Sequence, residues 1–207
     1  RFLVWIIDFL GLMIIGMWYH WGITDGIIKE ASQVIGEYKE KNQETLVIAF
    51  IHVGPNFQWH PYPEREYLFR NISMAGADII WGTSSHHIQR LEYFKGKPIV
   101  YGLGDFMFRH VVGVEDHCPS YAIPCSSYRP DLSLMYIFDV QFRSGLSPIV
   151  SNEVIAYGTQ HDDFQTFQVS ESSDKQWIEN TFNAISNEYG AHMKYSEDEH
   201  LFKINLN

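Results

Sequence analysis

Positive charge is in short supply in this chain. Its 207 residues carry 15 Lys and Arg against 25 Asp and Glu, a formal net charge of −10. No basic stripe is available to displace counterions from phosphates, which excludes a general nucleic-acid binder. Charged residues make up only 19% of the chain. No long low-complexity run interrupts it, so wholesale disorder is excluded too. Cysteine is nearly absent: Cys118 and Cys125, in CPSYAIPC, are the two present. Their spacing suits a small disulfide loop of an extracytoplasmic protein, and suits two free thiols equally. It is wider than CxxC and has no second pair, which argues against a structural zinc site.

What the chain does have is apolar surface. Hydrophobic residues are 45% and aromatics 15%, enough for one sizeable core. The opening run RFLVWIIDFLGLMIIGMWYHWG allows two readings: buried strands, or membrane association through residues 1–22. Asp8 weighs toward the strands, because an ionised carboxylate in mid-span costs about 2.5–3.5 kcal/mol.

From Asp25 the apolar residues Ile27, Ile28, Ala31, Val34, Ile35 and Tyr38 recur at helical spacing, with Asp25 as N-cap. TLVIAFIH (Thr45–His52) is a continuous β-branched run, expected as a central strand buried on both faces. The loop VGPNFQWHPYP follows, then a helix over EREYLFRNISMAG closed by Gly76, then the short strand ADIIW. Strand, helix and strand at this spacing imply a βαβ unit with parallel strands. IQRLEYF and PIVYG make a hairpin around KGK, and DLSLMYIFDVQF and PIVSNEVIAYG a second around RSG. A long loop from Gly104 to Pro130 separates the two. A last helix ending at Gly190 and a terminal hairpin complete one domain, residues 1–207, of mixed α/β class.

Ligand sites of parallel α/β sheets form at the carboxyl ends of strands. His52 ends one expected strand, the cluster Ser84–Ser85–His86–His87 follows the next, and Asp105 stands at a third strand end. Neutral imidazole is a ligand for Zn, Fe, Mn or Ni, and a carboxylate suits the harder of these. A serine hydrolase is disfavoured: GTSSHH is not a GxSxG turn, and a His cannot readily face the Ser beside it. The serines suit hydrogen bonds within the turn. Ser85 also joins Asn56 and Arg129 as a candidate substrate contact. Asn56 reads equally as part of a packed aromatic loop, and Arg129 as the partner of Asp131 in a structural ion pair.

The segments FIHVGPN, GADIIWGTSSHHIQRLEYFKGKPIVYGLGDFMF and RPDLSLMY resemble, in order and spacing, the CapA family of poly-gamma-glutamate capsule synthesis proteins. That family is similar to the calcineurin-like metallophosphoesterases. The clear match runs from Leu46 to Tyr136. The resemblance implies a β-sandwich flanked by helices, with two divalent metal ions at the strand ends and hydrolysis of a phosphoester or polymer bond. It implies His52 and His86 as metal ligands, His87 and Asp105 as catalytic groups beside them, and an anionic polymer or phosphoester as substrate. An extracytoplasmic or membrane-associated setting accords with such a role.

Two departures bear on this expectation. Thr83 stands where the family turn carries a ligating His, and Val53 where its loop carries Trp. The family's amino-terminal Gly-Asp and Asn-His motifs have no counterpart. With Arg1 first, the resemblance implies the carboxy-terminal part of a longer protein and an incomplete metal site. It also leaves a non-catalytic member that binds or helps export the polymer as the alternative.

Overall fold

Helix α1 (Asp25–Lys41) buries Ile28, Ala31 and Ile35, a stripe at intervals of three and four, and turns its charged residues outward. The acidic Asp25 in its first turn and Lys39 and Lys41 in its last complement the helix dipole. The computed structural model describes residues 3–9, 12–18, 25–54, 56–106, 125–161 and 165–207. Cys118 and the HVVGVEDHCP segment lie outside them.

The apolar amino terminus forms an antiparallel pair, β1 (Leu3–Phe9) and β2 (Leu12–Trp18). Among the described residues no helix is long and apolar enough to cross a membrane. After α1, β3 (Leu46–His52) lies parallel to β2. The connection to the next parallel strand, β4 (Ile79–Thr83), is α2 (Pro63–Ala75). Pro63 suits the first helical turn, where its missing N–H has no partner to lose. Gly76, at φ 126°, ends the helix by donating its N–H to the Ile72 and Ser73 carbonyls. The expected βαβ unit is therefore present. The antiparallel hairpin β5 (Leu91–Phe94) and β6 (Lys97–Val100) completes a six-stranded sheet of order β1-β2-β3-β4-β6-β5.

The second sheet is antiparallel, in the order β10-β11-β8-β7. It contains β7 (Leu132–Arg143), β8 (Leu146–His161), β10 (Ala191–Ser196) and β11 (Leu201–Leu206), with β9 (Thr166–Gln168) beside β8. Helix α3 (Ser172–Ser186) packs against it through Ile178 and Phe182.

Two hydrophobic layers hold the fold. One lies between the parallel sheet and α1 and α2, where Ile35, Val47, Ala49, Phe69 and Ile72 are almost wholly buried. The other lies between the sheets, where Leu91 and Val100 meet Leu132, Leu134, Tyr136, Val154 and Ala156. Truncating one of the large side chains, such as Phe69, costs about 3–5 kcal/mol by transfer and cavity terms. This is the mixed α/β class expected from the sequence, with two facing sheets and three helices among the described residues. The register aligns His52 with Thr83 as partners across β3 and β4, which brings the ends of both strands to one edge.

Candidate functional site

His52 closes β3 and Thr83 closes β4. The cross-strand register sets their side chains together, with His52 Nδ1 2.8 Å from Thr83 Oγ1. Thr83, standing at an expected ligand position, thus orients a histidine. Burial, then His86, then Arg65 hold the His52 imidazole below its ordinary value, so the ring is mostly neutral at pH 7.

The turn after β4 is strained. Ser84 (φ 81°) and His86 (φ 60°) both lie in the left-handed region, as does Phe57 (φ 50°) in the facing loop. Non-glycine residues there cost on the order of 1–2 kcal/mol each, and such strain concentrates at functional sites. The conformation turns His86 toward the end of the following hairpin. His86 Nδ1 meets the Asp105 carboxylate at 2.9 and 3.2 Å. Against an ionised carboxylate Nδ1 is the donor, which fixes the tautomer of the ring. Phe57 stacks on His86 with ring centroids 5.6 Å apart. The two loops are joined by the Phe57 N–H, which donates to the Ser85 carbonyl at 3.0 Å, and by Ser84 Oγ, which donates to Asn56 Oδ1 at 3.1 Å.

The structure therefore brings His52, His86, Asp105 and Asn56 to one edge. The other named residues stand differently. Ser85 is buried and its hydroxyl donates to the His87 carbonyl at 2.7 Å, a hydrogen bond within the turn. Gly102 packs against it, leaving no room for a side chain. His87 is fully buried under Phe57, Trp59 and Tyr128. Its Nδ1 is 2.8 Å from the Ile88 carbonyl oxygen and its Nε2 3.0 Å from that of Gln58. Burial pushes it down to about 4, outweighing the two carbonyls, so it is a neutral wall of the site. Arg129 makes a bidentate pair with Asp131 at 2.7 and 2.8 Å and a second bond to Asp174 at 2.9 Å. The structural ion pair is the arrangement found there.

Two oriented imidazoles fit one edge of a divalent-metal site. Among the described residues no group of three or more His, Cys, Asp or Glu side chains is placed to share a metal ion. The described donors do not by themselves make a complete two-metal centre.

Sequence reasoning missed the function of Thr83 as a partner of His52, and missed Arg65 beneath the turn. The β3–β4 register would have paired Thr83 with His52. The glycine at position 82, inside an otherwise apolar strand, is the signal that something approaches closely.

Residues 20–110 match the family model of bacterial capsule synthesis protein PGA_cap. A probable polyglutamine synthesis accessory protein of Mycobacterium tuberculosis is 28% identical over 160 residues, covering 77% of this chain and 38% of the relative. The capsule biosynthesis protein CapA of Bacillus anthracis is 33% identical over 84 residues, 41% of this chain and 20% of the relative. The PGA biosynthesis protein CapA of Bacillus subtilis is 35% identical over 68 residues, 33% of this chain and 18% of the relative. The chain thus spans less than two-fifths of the length of these relatives.

Proposed function

Through residues 20–110 this chain belongs to the bacterial capsule synthesis family of CapA, and on that premise we propose that it acts in the synthesis of a capsule-type anionic polymer such as polyglutamate. Its strand-end site binds and hydrolyses a phosphoester or a bond of the polymer. The observation that carries this reading is the pair of imidazoles held at adjacent strand ends, each bonded through Nδ1: His52 to Thr83 and His86 to Asp105. His52 is kept mostly neutral, the state that serves a ligand or a base. Asp105 holds His86 in one tautomer and acts through that ring. Asn56, tied to the turn by Ser84, is placed as a polar contact for substrate.

A divalent ion held by His52 and His86, and completed by donors beyond those described, would supply Lewis acidity at the bond being cut. The chain is assayed with bis(p-nitrophenyl) phosphate, p-nitrophenyl phosphate and polyglutamate, each with added zinc, manganese or magnesium. Hydrolysis that falls about 100-fold or more in His52→Ala and His86→Ala supports the reading. No turnover with any metal and substrate sinks it.

A second reading is favoured by the incomplete donor set. The chain binds or helps export the polymer without cutting it. That reading expects polyglutamate binding that survives EDTA, and binding lost with EDTA counts against it. Membrane association through residues 1–22 belongs to the same reading, and fractionation with and without those residues decides it.

A further inference from the structure

Beneath the histidine turn lies a cation that nothing in the proposed chemistry uses. Arg65 sits in the first turn of α2, fully buried. Among the described residues it makes no ion pair. Its guanidinium is bonded to neutral acceptors. Nη1 donates to Gln89 Oε1 at 2.8 Å, and Nη2 donates to the Thr83 carbonyl at 3.0 Å and to the Tyr101 carbonyl. Nε has no partner. Burial lowers its pKa to about 9, which still leaves it charged at neutral pH.

Three physical costs meet at this residue. A cation is buried without a carboxylate. It stands at the positive end of a helix dipole. One of its N–H groups is unsatisfied. The surrounding chain is shaped to accept it. A Cβ on Gly82 would lie 2.9 Å from Nη2, 2.7 Å from Phe69 Cε2 and 2.7 Å from the Tyr101 carbonyl oxygen, so that strand position has room only for hydrogen. Phe69 lies under the guanidinium carbon at 5.1 Å. A buried cation that meets neutral acceptors, carries an unpartnered N–H and sits in a space that admits no side chain on Gly82 breaks several rules at once, and marks a functional demand.

The demand is legible in what the three acceptors do next. Thr83 is the residue whose hydroxyl meets His52. Tyr101 directly follows β6 on the way to Asp105, the partner of His86. Gln89 follows the histidine turn directly and donates its Nε2 to the Gln58 carbonyl at 2.6 Å, the same oxygen that faces His87. One planar fork therefore grips the backbone of Thr83, the backbone ahead of Asp105 and the side chain of Gln89 just beyond the histidine turn. Lysine offers a single point charge and cannot bridge three acceptors in one plane.

We propose that Arg65 is the positioning residue of the imidazole pair: its buried guanidinium locks the ends of β4 and β6 to the histidine turn and so fixes the groups that hold His52 and His86. The proposal rests on the reading of that pair as the functional site, but its test does not use activity.

The test compares the full chain with Arg65→Lys by histidine-selective nitrogen NMR and amide hydrogen exchange. In the unsubstituted chain the two ring nitrogens of His52 and of His86 give well-separated signals, each ring in one tautomer. In Arg65→Lys the separation narrows for both rings as tautomers mix. Exchange also accelerates about tenfold or more at the Phe57 amide, which donates to Ser85, and at the Gln89 amide, which donates to Gly102. The Met193 amide, bonded to Asn183 in the other sheet, keeps its rate. A folded Arg65→Lys chain with unchanged imidazole signals overturns the proposal. Should that variant fail to fold, the unsubstituted chain decides. Couplings across hydrogen bonds from Arg65 Nη to the Thr83 and Tyr101 carbonyl carbons support the lock, and freely rotating guanidinium signals overturn it. Absence of phosphoester turnover in the unsubstituted chain, with each ring held in one tautomer, counts against the proposed chemistry and leaves the lock standing.

Discussion

Two arginines in this chain show how differently its two polar regions are built. Arg129, where β7 begins beside α3, meets Asp131 and Asp174 and is 29% exposed. Every charge there is answered by the chain itself, and the corner asks for nothing further. Arg65, under the strand ends of the parallel sheet, is fully buried, and its hydrogen-bond acceptors among the described residues are carbonyl and amide oxygens. Beside it stand two left-handed residues of the turn and two imidazoles oriented through Nδ1. The first region is finished as structure. The second carries charge, strain and polar groups beyond the needs of stability, which is the mark of a site.

Substitutions sharpen that contrast, beginning with the largest. Arg65→Met leaves two buried carbonyls and the Gln89 amide oxygen without their donor, and is expected to lower unfolding stability by about 3–5 kcal/mol in urea titration. A loss below about 1 kcal/mol would make Arg65 no different from a surface residue. Gly82→Ala is next, with a cost of about 1–3 kcal/mol from overpacking against Phe69, Tyr101 and Arg65. Thr83→Val keeps the shape of the side chain and removes the hydroxyl. It is expected to cost about 1 kcal/mol in stability, and to release His52 into two tautomers by NMR. Arg129→Met, at the half-exposed corner, is expected to cost about 1 kcal/mol or less once solvent screening is allowed for.

Acid gives the smallest effect and points the same way. Burial raises the Asp131 carboxyl, but the bonds from Arg129 and Gln160 outweigh it and hold the group below its ordinary 3.8. A carboxylate depressed in the folded state contributes stability that is present above the unfolded value and lost as pH falls through the folded one. The chain therefore loses this contribution below about pH 4. Arg129→Met flattens that part of the pH–stability curve, while Arg65→Met leaves it in place.

The parts of this fold that declare themselves in the sequence are those set by neighbours along the chain. Ile28, Ala31 and Ile35 mark α1 by their spacing, and Gly76 closes α2. Lys95 and Gly96, both at positive φ, close the β5–β6 hairpin. The convergence of His52, His86 and Asp105 was legible too, because strand ends of a parallel sheet share an edge. What was hidden depends on register and burial. Thr83 looked like the absence of a ligand until β3 and β4 were aligned. Arg65, in the first turn of a helix among Glu64 and Glu66, has the sequence context of a solvent-facing residue. Nothing local distinguishes it from Arg70, which is part-exposed and pairs with Glu92 at 2.8 Å. Strand β9 is too short for an alternating pattern to emerge.

The central claim is that the strand-end imidazole pair is where the ligand goes. The most direct test is an NMR titration of the chain with polyglutamate and with bis(p-nitrophenyl) phosphate, each with and without zinc. The account predicts saturable shifts concentrated on the rings of His52 and His86 and the amide of Asn56, abolished in the His52→Ala, His86→Ala double variant. Saturable shifts centred elsewhere, or no shift at these residues under any of the four conditions, would contradict it.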